Sequence, residues 1–91
     1  MIVLDTSAAI ELLLSLPLSR KVQDLLDEHD WVVAAPELLQ IEVLQVLRRR
    51  VTSGVTSIDD AEYALNILRD INVRYFNHEV LIDRVWELRS N

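Results

Sequence analysis

Ile2-Val3-Leu4-Asp5-Thr6-Ser7-Ala8-Ala9-Ile10 is the stretch that decides the fold class. Its three opening aliphatics show no polar alternation, which is how a strand buried on both faces reads inside a parallel sheet. Asp5, Thr6 and Ser7 are all residue types that accept from the free N–H groups at a helix start, and Ala8 to Leu14 has helical composition. The stretch predicts strand, sharp turn, helix.

The same grammar repeats downstream. Ser15 to Pro17 break the first helix, and Ser19 is placed to cap a second through Glu28, with Val22, Leu25 and Leu26 on one face. Trp31-Val32-Val33-Ala34 predicts a second strand. Pro36 fits a helix start, where its missing N–H costs nothing, and a helix over Glu37 to Thr52 can end at Gly54. Ser57-Ile58-Asp59-Asp60 resembles a capping box opening a helix to Arg69. Asn72 to Phe76 predict a third strand, and Glu79 to Arg89 a last helix. The order β-α-α-β-α-α-β-α predicts an α/β fold with a parallel sheet. Three strands are few for such a sheet, and a right-handed crossover after the last helix would deliver another. One domain over residues 1–91 is expected, lacking its C-terminal strands.

Composition narrows the classes further. Of 91 residues, 34 are Leu, Ile or Val, with one Gly, two Pro and no Cys. That excludes a disordered chain, a disulfide scaffold and thiolate chemistry, and fits a reducing cytoplasm. A single Gly excludes phosphate-cradling Gly-rich loops. The longest purely apolar runs are four to five residues, well short of the ~20 of a membrane-spanning helix. The net charge is −6, and all of it falls in residues 1–45, which hold eight acids and two bases; residues 46–91 hold seven of each. The uneven acidity has two readings, a solubilising surface or a cluster that wants a cation.

Two acids are candidates for chemistry. Asp5 stands at the C-terminal end of the first strand, the edge where open α/β sheets bind ligands, and it is equally a plain helix cap. Glu42 falls on the third helix between Leu38 and Val46, at 40° to either side. A carboxylate among aliphatics needs a partner or a cation; Arg49, one heptad on, is the ordinary partner. Two acids far apart in sequence, one at a strand end and one inside an apolar helix, point to a hard-cation site. Arg48-Arg49-Arg50 near the helix end either complement the macrodipole or grip phosphates. Trp31, Trp86, Tyr75 and Phe76 are expected in the core, and Glu11 either in the cleft or in solvent.

These motifs resemble a known family. Ile2 to Ile10 looks like the opening motif of PIN-domain ribonucleases, especially VapC-type toxins of bacterial toxin–antitoxin pairs. Ala35-Pro36-Glu37-Leu38-Leu39-Gln40-Ile41-Glu42 through Arg49 looks like the second motif, with its Pro, acid and Leu-Arg-Arg tail. The resemblance implies a three-layer parallel sheet with helices on both faces. It implies a metal-dependent endoribonuclease in the cytoplasm, with Mg²⁺ or Mn²⁺ as cofactor and RNA as substrate. Its metal-binding and catalytic acids would be Asp5 and Glu42, and its partners a cognate antitoxin protein and a second copy in a homodimer. Gln45 stands where the family often has Asn. The family's remaining acids come from a Tyr-Asp-Ala-type and a Thr-x-Asp segment that follow the last helix, and this sequence ends at Ser90-Asn91 before both. With two acids of four, the 91-residue chain is expected to be a weak nuclease. The family's first strand is central, so Ile2 to Leu4 are expected at an open edge. The alternative of another class is a non-catalytic α/β module that acts by binding or dimerisation.

Overall fold

The computed structural model describes residues 1–87. Its elements are β1 (Ile2–Val3), α1 (Thr6–Leu13), α2 (Ser19–Glu28), β2 (Val33–Pro36), α3 (Leu39–Thr52), α4 (Ile58–Asp70), β3 (Val73–Phe76) and α5 (His78–Glu87). The end of the last expected helix, Leu88 and Arg89, lies outside the described residues. The strands form one parallel sheet in the order β1-β2-β3, with Ile2 opposite Val33 and Ala34 opposite Arg74.

The strand order fixes where the helices go. Two crossovers that step the same way across a parallel sheet, both right-handed, fall on one face. α1, α2, α3 and α4 accordingly pack on one another, whereas α5 makes its main contact with β2. Helices therefore flank both faces. The core between the sheet and the α1–α4 layer is aliphatic: Leu4, Ile10, Leu13, Leu26, Val33, Leu39, Val43, Leu47 and Leu68 are buried. On α3 the buried row is Leu39, Val43 and Leu47, one residue per turn along one stripe. Among the described residues β1 has a single strand neighbour. Ile2 and Leu4 donate to Val32 and Ala34 at 2.9 and 2.8 Å, so the alternation of the strand turns the polar groups of Val3 to the open side.

The element order agrees with the sequence reading, and the boundaries shift for physical reasons. β2 lies two residues later than its apolar run suggests. Asp30 and Trp31 take left-handed backbone conformations, with φ of 53° and 55°, and turn the chain before the strand starts. Pro36 therefore ends a strand rather than opening a helix, and Glu37 still donates to the Phe76 carbonyl of β3 at 2.9 Å. α3 begins at Leu39 as a result. Ser19 does not cap α2 either: Leu18 is the N-cap, and Ser19, buried as the first helical residue, accepts from the Gln23 amide at 3.2 Å. Gly54 ends α3 as expected, with φ of 79° and its N–H on the Val51 carbonyl at 3.0 Å. Trp31 and Trp86 are exposed rather than in the core. Tyr75 and Phe76 are half-buried, and the Tyr75 hydroxyl is buried with no hydrogen-bond partner among the described residues.

Candidate metal site at the carboxyl edge of the sheet

Two helix starts meet at the carboxyl ends of β1 and β2. Asp5 follows β1 and is the N-cap of α1, where its Oδ1 accepts from the Ala8 N–H at 2.8 Å. The other carboxylate oxygen has no partner among the described residues. Because α3 starts at Leu39, Glu42 lies in that helix's first turn. Both carboxylates thus sit at the positive ends of their helices, where the macrodipole favours negative charge.

One hydrogen bond joins the two starts. Thr6, the residue after Asp5, donates from Oγ1 to Glu42 Oε2 at 2.7 Å across a gap of 36 residues in sequence. That distance is ordinary for a hydroxyl donor and lies within the range of one bonded to a carboxylate. It fixes the second carboxylate against the first residue of α1. Nothing local in the sequence signals Glu42 as the partner of Thr6.

The setting of Glu42 differs from the sequence reading. It is exposed, and so is Leu38 beside it, because the buried stripe of α3 is centred on Val43. Its charge is therefore hydrated and incurs no apolar penalty. The ordinary alternative, an ion pair with Arg49, is not formed among the described residues. Glu11 lies in neither cleft nor open solvent. Half-buried, it accepts from the Leu18 N–H at 3.0 Å and ties down the turn between α1 and α2.

The donors present suit a hard cation. Mg²⁺ is commonly held by one or two carboxylates, with waters and substrate phosphates completing its octahedron, and Asp5 and Glu42 offer oxygen alone. Among the described residues no group of three or more His, Asp or Glu side chains is gathered for a metal. No helix there is long and apolar enough to cross a membrane.

Comparison with known proteins adds one finding. The family model for the PIN domain matches residues 2–91. No curated protein and no solved structure matches the chain.

Proposed function

The chain belongs to the PIN-domain family, generally one of nucleases, and from that membership we propose that it is a metal-dependent endoribonuclease of a toxin–antitoxin pair, acting in the cytoplasm. Asp5 and Glu42 would hold Mg²⁺ or Mn²⁺. When bound, such an ion polarises a phosphoryl oxygen and lowers the pKa of a coordinated water.

The residues of the chain have distinct tasks. Asp5 is held in place by its cap bond to Ala8, which leaves one oxygen for the cation. Glu42 is aimed by the Thr6 hydroxyl, as outer partners aim carboxylate ligands in metal sites generally. The Thr6–Glu42 bond is the observation that carries the reading. A plain helix cap has no need of an acid brought from the next helix of the layer.

The test is cleavage of single-stranded RNA in Mn²⁺. Slow cleavage is expected, stopped by EDTA and lost in Asp5→Ala and in Glu42→Gln. Cleavage that survives both substitutions ends the proposal.

The reading carries a protein antitoxin and a homodimer with it. Their support is an exposed apolar row at the start of α3, Leu38, Ile41 and Leu44, together with β1, which has a single strand neighbour among the described residues. The same row favours the second reading, a module that binds without catalysis. Retention of partner binding with no Mn²⁺-dependent cleavage would select it.

A further inference from the structure

The three consecutive arginines of α3 have separate fates. Arg50 turns inward: its Nε donates to the buried Thr56 hydroxyl at 2.9 Å, and its carbonyl accepts from Val55 and Thr56 N–H at 3.0 and 3.2 Å. It staples the loop between α3 and α4. Arg48 and Arg49 stay exposed and form no ion pair among the described residues. With Thr52 and Ser53 they line a concavity of about 270 Å³. The Ser53 hydroxyl already donates to the Arg50 carbonyl at 3.2 Å, which leaves two guanidinium groups and the Thr52 hydroxyl, with no carboxylate in the lining, as donors for a phosphate.

Arg49 is the member of the concavity aligned with Glu42. Arg49 follows Glu42 by seven residues, which on an α-helix is about 20° short of two full turns and about 10 Å along the axis. Gln45, also exposed, lies between them. One outward stripe of α3 therefore runs from the Glu42 carboxylate to Arg49, with Arg48 about 120° round the helix from Glu42. The geometry points to a phosphate cradle at Arg48, Arg49 and Thr52 that holds the backbone of a single-stranded RNA beside the phosphodiester at Asp5 and Glu42. This rests on the endoribonuclease reading. A chain of net charge −6 repels a polyanion at long range, so a local grip of this kind is what keeps the strand in place. Contacts of this type set position and carry no base information.

The experiment is fluorescence anisotropy of a labelled single-stranded RNA against the intact chain, titrated over a range of KCl without divalent metal. Arg49→Ala is expected to weaken binding about tenfold and to flatten the plot of log affinity against log salt by about 0.7, the share of one phosphate on a single strand. Arg49→Gln should do the same, Arg49→Lys should retain the slope, and all three should leave Mn²⁺ affinity unchanged. RNA binding with an unaltered slope in Arg49→Ala and Arg48→Ala would overturn the cradle alone and leave two helix-end charges. Absence of RNA binding by the unsubstituted chain would overturn the endoribonuclease reading together with it.

Discussion

α1 and α4 begin in the same way and end up with different tasks. In each the N-cap side chain accepts from the N–H three residues on: Asp5 from Ala8 at 2.8 Å, Ser57 from Asp60 at 3.0 Å. As caps the two are equivalent, since Asp and Ser satisfy an orphan N–H about equally well. The difference is the next residue. Thr6 reaches a carboxylate on another helix, whereas Ser57 is followed by Ile58, an exposed aliphatic. A carboxylate at a helix start is structural by default, and a second acid drawn to it from elsewhere in the fold is what makes it a candidate for chemistry.

Replacing the first cap by the second breaks the comparison most sharply. Asp5→Ser keeps the α1 cap and removes the charge. Thermal stability should stay within about 0.5 kcal/mol, while Mn²⁺ affinity should fall by more than the 10–100-fold typical of outer partners of a metal. Calorimetric titration and thermal unfolding of the same samples read both. A large drop in melting temperature with metal affinity intact would make Asp5 a cap and nothing more.

Thr6→Val comes next, because it keeps the β-branched shape and deletes the hydroxyl. Glu42 then loses the bond that orients it, and Mn²⁺ affinity should fall about tenfold, at the low end for such a partner. An unchanged affinity would show that Glu42 finds the cation without guidance, and would detach the two helix starts from each other.

How much of this was legible in the sequence follows from the range of each interaction. The α4 cap is local, with donor and acceptor three residues apart, and Ser57 to Asp60 reads directly as a helix start. So does Gly54, whose positive φ ends α3. β2 was displaced because a four-residue apolar run does not fix its own register. Bonds to β1 and β3 do, and those partners are about thirty and forty residues away in the chain. Glu42 was legible as a candidate through periodicity, which gives angles between side chains but not which arc is buried. Its exposure was decided by Leu39, Val43 and Leu47 turning to the core. The Thr6–Glu42 bond spans 36 residues and has no local signature.

The smallest effects belong to Ser57, and they test whether the difference between the two helix starts is real. Ser57→Ala should cost about 1 kcal/mol, the usual value of a cap, a fall of about 4–8 °C in a domain of this size, with no change in Mn²⁺ affinity. Ser57→Asp should recover nearly all of that. Aspartate caps as well as serine, and its gain from the helix dipole is opposed by repulsion from Asp59 and Asp60 in the same turn. That variant gathers three acids at one helix start, more than stand at the start of α1. If acidity alone made the site, Mn²⁺ would broaden the amide signals around Ala61 in the variant as it does those around Ala8. Broadening around Ala8 only is expected, because no hydroxyl there brings a carboxylate from another helix as Thr6 brings Glu42.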